Sequence, residues 1–172
     1  MTLISVPGCS RSSPTNTYTV TPAADFTSAV EKAIQAVVTI EVDLGAGRSA
    51  AGTGWIVDPN GHIVTNNHVV TGAQAISITL YDGRQFTSKA VRADPAQDLA
   101  VVKIEASGLP TASTGDSSLL RMGQPVAAIG NALDMGIRVT GGVVSRLDVT
   151  VTYQGNNLTL YHNIETDAVL NP

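Results

Sequence analysis

Short apolar runs separated by tight turns fill the chain between residues 37 and 104. The turns at residues 58–61 (Asp-Pro-Asn-Gly) and 81–84 (Tyr-Asp-Gly-Arg) carry the Asn-Gly and Asp-Gly pairs typical of β-hairpins. The sequence also contains 20 Val and 19 Thr, β-branched residues that favour strands. The pattern predicts an all-β protein with six strands that suit a small closed barrel: Val37–Val42, Trp55–Val57, His62–Thr65, Ile76–Leu80, Phe86–Arg92 and Leu99–Ile104.

A different pattern precedes the first strand. Residues 1–22 are polar, rich in Ser, Thr and Pro, and show no periodicity, which predicts a disordered tail. Residues 23–36 space their apolar side chains along one face of a helix, which Thr21 or Asp25 could cap. The sequence therefore predicts a short N-terminal helix ahead of the strands.

A second series of strands follows the first. The first barrel is predicted to span residues 37–106, and residues 107–121, rich in Ser, Thr and Gly, to form a linker. Residues 122–172 would form a second unit, with a hairpin turn at residues 154–157 (Gln-Gly-Asn-Asn). Its predicted strands are Pro125–Ile129, Ile137–Thr140, Val143–Leu147, Val149–Tyr153, Leu158–Tyr161 and Ile164–Thr166.

Charge and composition exclude several classes of function. The net charge is −4 and no run of three Lys or Arg occurs, so the sequence predicts no nucleic-acid partner. No apolar stretch reaches the 18 residues that a membrane-spanning helix needs. The single cysteine, Cys9, forms neither an intramolecular disulfide nor a thiolate zinc cluster.

The surroundings of Cys9 leave two interpretations open. Residues 6–9 (Val-Pro-Gly-Cys) loosely resemble a lipoprotein cleavage box, which would anchor the protein to a membrane through Cys9. Only eight residues precede this cysteine and none is basic, so these residues are not expected to form a complete signal peptide. The alternative is an ordinary disordered N-terminus.

His68 is the histidine whose position suggests a catalytic role. It stands where a strand ends, so its ring could be held rigidly against a cleft as a general base. Asp98 opens an apolar run 30 residues later and, if buried, needs a hydrogen-bonding partner. His68 could be that partner, with its second ring nitrogen left as the base.

Other interpretations of these residues remain. His62 and His162 are predicted to be half-exposed strand histidines, and Asp98 could instead cap a turn. A metal held by His62, His68 and Asp98 has no recognised ligand spacing to support it. The sequence therefore predicts no metal and no cofactor.

Five segments, in order, resemble the conserved blocks of HtrA/DegP-type serine proteases. The first, residues 52–70, contains the Thr-Asn-Asn-His motif around His68, and the second contains Asp98 followed by Leu-Ala-Val-Val-Lys-Ile. The resemblance covers residues 24–172; the five segments are Gly52–Val70, Asp98–Ile104, Ala128–Asn131, Val139–Ser145 and Thr166–Pro172.

The resemblance implies a trypsin-like pair of antiparallel β-barrels with the active site between them. It implies His68 as general base, Asp98 as its orienting carboxylate, and Val169 and Leu170 in a substrate pocket for small aliphatic side chains. It further implies unfolded or peptide substrates, an extracytoplasmic location (cell envelope or periplasm), and a homotrimer joined through the segment ahead of the first barrel, where Tyr18 and Phe26 are the aromatic candidates.

Three features depart from the family's pattern. The Gly-Asn-Ser-Gly-Gly motif that carries the nucleophile follows the last matching block in the family, and no serine of this sequence lies in such a motif. We therefore expect the second barrel, over residues 122–172, to be incomplete and these 172 residues to be inactive by themselves. Residues 130–136 and the regular hairpin predicted for residues 147–163 also differ from the family's usual loops. The alternative function is a non-catalytic barrel that binds unfolded segments along strand edges.

Overall fold

A short helix leads into the first sheet of the computed structural model, which describes residues 26–131, 136–155 and 158–170. Helix α1 spans Thr27–Ile34, and Gln35 and Ala36 turn the chain into the first strand. The sequence predicted a helix at residues 23–36; its last two residues form this turn, and residues 23–25 lie outside the described part. Phe26 occupies the N-cap position, whereas Thr21 and Asp25 also lie outside the described residues.

Seven antiparallel strands form the first sheet, in the order β5-β4-β1-β2-β3-β7-β6. The two edge strands, β5 and β6, are separated only by Lys89, so the edges of the sheet must meet there and the sheet curls into a barrel. The strands are β1 Val37–Gly45, β2 Arg48–Ile56, β3 His62–Asn66, β4 Ala75–Leu80, β5 Gln85–Ser88, β6 Ala90–Asp94 and β7 Leu99–Lys103.

The single strand predicted at residues 86–92 was wrong, because it is divided between β5 and β6. β5 pairs with β4, whereas β6 pairs with β7 on the other side of the sheet. The hydroxyl of the buried Ser88 donates to the Lys103 carbonyl at 2.5 Å and accepts the Ala90 N–H at 3.1 Å. These bonds hold the bend at which the chain changes partner.

The core lies inside this curled sheet. Val38, Ile40 and Val42 alternate along β1 with residues that face outward, as expected for a strand with one buried face. A Cβ on Gly54 would come within 2.9 Å of the Ile40 side chain, so glycine is needed where β2 crosses the core. The buried cluster includes Val38, Ile40, Val42, Ile56, Ile63, Ile76, Ile78, Leu80, Val102, Ile104 and Leu109.

The segment predicted as a linker runs along the first sheet. Leu109 is buried, and its backbone N–H donates to the Pro59 carbonyl at 3.3 Å. The Ala112 N–H donates to the Ile56 carbonyl at 3.2 Å, and a 3-10 helix follows at Ser117–Leu119. The connection is therefore docked on the first sheet over its first half.

The second sheet has three antiparallel strands in the order β10-β9-β8: β8 Pro125–Gly130, β9 Arg138–Tyr153 and β10 Leu158–Thr166. The sequence predicted five separate strands where β9 and β10 run continuously. β9 is continuous because its first half pairs with β8 and its second half with β10. The pairing register of β10 shifts between Leu160 and Asn163. This irregularity interrupts the alternation of the sequence, which therefore predicted the end of a strand there. In the predicted turn at residues 154–157, Asn156 and Asn157 lie outside the described residues.

The two sheets meet at the end of β8. The Asn131 backbone N–H donates to the Thr53 hydroxyl at 2.8 Å, and its side-chain amide donates to the Thr39 hydroxyl at 2.9 Å. Elsewhere, the Phe26 ring lies over Gly141 of β9, so this aromatic residue packs α1 onto the second sheet. The predicted all-β class with a short N-terminal helix is confirmed.

Candidate active site

A cleft of about 910 Å³ opens between the two sheets. The first sheet contributes outward-facing residues of β1 and β2 together with the segment after β3, and the second contributes the end of β8, the start of β9 and the segment after β10. His68 lies in this cleft, as do Val169 and Leu170. The remaining lining residues are Glu41, Ser49, Ala50, Ala51, Gly52, Thr53, Asn66, Val69, Ala128, Ile129, Gly130, Asn131, Arg138 and Thr140.

Strand pairing brings His68 and Asp98 together. β3 and β7 are antiparallel neighbours with Asn66 opposite Leu99, so the end of β3 lies beside the start of β7. After β3 the chain forms a one-turn helix, α2 (Asn67–Val70), and the Asn67 N–H donates to the Asp98 carbonyl at 3.0 Å. The turn directs the His68 side chain outward, and 69% of it is exposed.

The Asp98 carboxylate is buried against His68, with only 9% of its side chain exposed. One oxygen accepts the His68 backbone N–H at 2.9 Å, and the other lies 2.7 Å from His68 Nδ1 and accepts the Asn66 side-chain amide at 3.2 Å. The residue adopts a φ of +51°, in the left-handed region that Asp tolerates better than most side chains.

This geometry fixes the proton on the imidazole. A carboxylate accepts hydrogen bonds but does not donate them, so Nδ1 of the neutral His68 ring carries the hydrogen. Nε2 is then left with its lone pair on the exposed side of the ring, and no hydrogen bond joins it to another group in the described part of the chain. The arrangement can accept a proton from a group placed in the cleft and return it.

The other two histidines pair with different carboxylates outside the cleft. His62 Nδ1 lies 2.5 Å from Asp58 in the β2–β3 turn, and His162 Nδ1 lies 2.6 Å from Asp148. Partial desolvation raises the pKa of Asp58, but hydrogen bonds from the Asn60 backbone and from His62 outweigh it and hold that pKa below its usual value. His62 therefore does not join His68 and Asp98, and among the described residues no three His, Cys, Asp or Glu lie together in a way that could hold a metal ion.

Val169 and Leu170 lie on the second-sheet wall of the cleft, in the segment after β10. The Thr140 hydroxyl donates to the Val169 carbonyl at 2.8 Å and ties this segment to β9. The neighbouring Asp167 accepts the Val143 N–H at 2.7 Å, so its carboxylate is bound to the backbone of β9. The carboxylate two residues before Val169 is thus already engaged.

Several lining residues were missed by sequence reasoning. Asn131 is buried and bridges the sheets, but nothing in the sequence indicates contact with Thr39 or Thr53. Glu41 could have been found, since it interrupts the apolar residues of β1 at an outward position. Ser49 is the serine that lines the cleft, and within the described residues no hydroxyl is hydrogen-bonded to His68.

Two antiparallel sheets with a His–Asp pair in the cleft between them define a trypsin-type architecture. Residues 52–172 match the trypsin-like peptidase domain, and the chain belongs to this family. The predicted trypsin-like fold and the resemblance to HtrA/DegP-type proteases are confirmed.

The relatives found are serine proteases of the HtrA/DegP group. The chain is 41% identical over 125 residues to "Probable periplasmic serine endoprotease DegP-like" of Marinomonas sp. (strain MWYL1), covering 73% of this chain and 26% of that protein. It is 39% identical over 164 residues to "Serine protease PepD" of Mycobacterium tuberculosis (strain ATCC 25618 / H37Rv), covering 88% and 35%.

The fold agrees with solved HtrA-type structures. "HtrA-type protease AlgW with tripeptide" superposes with a TM-score of 0.78 and 36% identity, covering 87% of this chain and 48% of that one. The chain thus spans between a quarter and a half of the length of these three proteins. No helix within the described ranges is long and apolar enough to cross a membrane.

Proposed function

We propose that this chain supplies the general base and the orienting carboxylate of an HtrA-type serine endopeptidase. The observation that carries the proposal is the 2.7 Å contact between His68 Nδ1 and the buried Asp98, with Nε2 facing an open cleft. The similarity to proteins named serine proteases supports the same reaction.

In this mechanism Asp98 keeps the Nδ1 hydrogen of His68 in place. Nε2 removes the proton from a serine hydroxyl as that oxygen attacks the peptide carbonyl, and then returns it to the leaving amine. Water repeats the sequence to release the acyl group, and no metal or cofactor takes part. We propose that residues outside these 172 carry the serine and its oxyanion-binding amides.

Val169 and Leu170 would contact the substrate side chain next to the scissile bond. On their side of the cleft the adjacent carboxylate, Asp167, is bound to the backbone of β9. A Lys or Arg placed there would lose its hydration without gaining a partner. Small aliphatic side chains are the proposed preference.

The test compares the 172-residue chain with the protein expressed from its complete coding sequence. A fluorophosphonate probe should label the complete protein and not the 172-residue chain, and heating should abolish the labelling. Gly-Asn-Ser-Gly-Gly encoded directly after codon 172 would agree with this outcome. Heat-sensitive labelling of the 172-residue chain itself would contradict the placement of the serine.

A non-catalytic binding function is the second candidate. Both β8 and β10 are edge strands of the second sheet, and a strand edge can pair with an extended peptide. A complete protein that binds unfolded polypeptide but is not labelled by the probe would favour this candidate over the peptidase.

Location and assembly follow from the same relationship. A relative is named a periplasmic endoprotease, and we propose an extracytoplasmic location here, with lipid attachment at Cys9 tested by mass spectrometry of the mature N-terminus.

We also propose a homotrimer, which light scattering of the complete protein would test. Because Phe26 packs α1 onto Gly141, Tyr18 is the aromatic residue left for that contact, and it lies outside the described residues.

A further inference from the structure

Glu41 places a carboxylate on the first-sheet wall of the cleft. Its neighbours in β1, Ile40 and Val42, point into the core, so Glu41 points outward. It lies among the residues that line the cleft together with His68. A charged side chain in the middle of a strand, directed into a cleft, is positioned to contact whatever the cleft binds.

The wall between Glu41 and His68 is made of small residues. Glu41 is paired with Ala51, and the next residue, Gly52, approaches the side chain of Val69, which directly follows His68. A Cβ on Gly52 would come within 2.7 Å of Val69 Cγ1, so this approach depends on glycine. The residues of β2 beside Glu41 are therefore small and leave room for an extended peptide in the cleft.

The Glu41 carboxylate has no hydrogen bond or ion pair within the part of the chain that the structure describes. The next outward carboxylate along β1, Asp43, is occupied by the Gly45 N–H at 2.7 Å. The cation of the cleft lining, Arg138, stands on the second-sheet wall. The first-sheet wall is thus negative near Glu41, and a positive side chain would be attracted to it.

We propose that Glu41 forms a subsite for a Lys or Arg side chain of the peptide substrate. The inference rests on the proposed peptidase function and extends it to substrate selection. The basic side chain is a different one from that held by Val169 and Leu170, since those residues lie on the opposite wall. Charge pairing at a largely exposed site contributes modestly, by about fivefold in affinity or kcat/KM.

The experiment measures kcat/KM of the complete protein on peptides that carry Lys, Gln or Glu at each position flanking the scissile bond. We expect about a fivefold preference for Lys over Gln at one position, weakened by salt. The Glu41→Gln variant should lose this preference, and Glu41→Lys should favour Glu there. Glu105→Gln removes the same charge from a side chain that is 94% exposed outside the cleft, and should keep the preference.

Two outcomes separate this inference from the proposed function. If wild-type protein cleaves the peptides without a charge preference, or Glu41→Gln keeps the preference, the subsite is wrong and the peptidase stands. If no peptide is cleaved, the peptidase proposal fails, and fluorescence anisotropy of the same peptides then decides the subsite. Equal affinity for Lys and Gln peptides would overturn it, whereas a Lys preference lost in Glu41→Gln would support it.

Discussion

Two His–Asp pairs lie at opposite ends of β3. Their contact distances are similar, but they differ in sequence separation and in the exposure of the aspartate. His62 and Asp58 approach to 2.5 Å, and His68 and Asp98 to 2.7 Å. The first pair is four residues apart within one turn, and 36% of the aspartate side chain is exposed. The second joins residues 30 apart, and 9% of its aspartate side chain is exposed.

The difference shows what turns a His–Asp contact into a candidate catalytic pair. The Asp58 contact forms wherever the turn forms, and solvent can replace it at little cost. The Asp98 contact exists only when β3 and β7 are paired, and its carboxylate is also held by Asn66 and by the His68 backbone. A buried carboxylate with fixed donors keeps an imidazole in one orientation, which proton transfer requires.

The largest expected effect comes from Asp98→Asn. An amide at this position can present its N–H to Nδ1 and stabilise the wrong tautomer of His68, so kcat/KM of the complete protein should fall by about 10⁴-fold. The matched variant Asp58→Asn should change kcat/KM by less than about twofold, since its pair lies outside the cleft. Equal losses in the two variants would remove the distinction between the pairs.

A smaller decrease in kcat/KM of the complete protein is expected from Asn66→Ala. This change removes the amide that donates to both the carbonyl and the carboxylate of Asp98 at 3.2 Å. A hydrogen bond to a charged group contributes about 1.5–3 kcal/mol, so kcat/KM should fall by roughly 10- to 100-fold. Asn60→Ala is the control, because Asn60 contributes a backbone N–H to Asp58. An unchanged kcat/KM in Asn66→Ala would mean that Asp98 is held without this donor.

The free energy of unfolding should also differ between variants at Asp98 and at Asp58. Asp98→Ala leaves the donors of Asn66 and His68 without their acceptor, and we expect the free energy of unfolding to fall by about 2 kcal/mol. Asp58→Ala should cost less, because its donors become accessible to water. Urea unfolding followed by the fluorescence of Trp55, the single tryptophan, measures both. A larger loss for Asp58→Ala would reverse the comparison.

The smallest effect is the pH dependence contributed by Asp58. Its pKa in the folded protein lies below the ordinary value of 3.8, so its stabilising effect is present above that value and is lost as the pH falls through the folded pKa. The difference in free energy of unfolding between wild type and Asp58→Asn should therefore shrink between pH 6 and pH 2. A difference that stays constant over that range would show that the lowered pKa is not linked to folding.

Much of the fold and of the candidate site could be predicted from the sequence because the relevant signals are local. The hairpin turns and the alternation of β1 depend on neighbouring residues, and the blocks around His68 and Asp98 carry a family pattern. The division of residues 86–92 could not be predicted, since Ser88 marks it only through its bond to Lys103. Long-range pairing also decides the continuity of β9.

The residues that line the cleft around His68 were harder to predict from the sequence than His68 itself. The contact of Asn131 with Thr39 and Thr53 joins residues 92 and 78 positions apart, and no local pattern marks it. Glu41 was visible only as a polar residue at an outward strand position, which usually faces bulk solvent. The packing of one sheet against the other makes that position part of a site.

The most direct measurement of the central claim is the acylation rate of the complete protein with a p-nitrophenyl ester, followed as a burst of p-nitrophenol in His68→Ala and His62→Ala. If His68 is the base, its removal should slow acylation by at least about 10³-fold, while His62→Ala stays within about twofold of wild type. Acylation that persists in His68→Ala, or that falls equally in both variants, would contradict the claim that the His68–Asp98 pair, and not the His62–Asp58 pair of the turn, performs the chemistry.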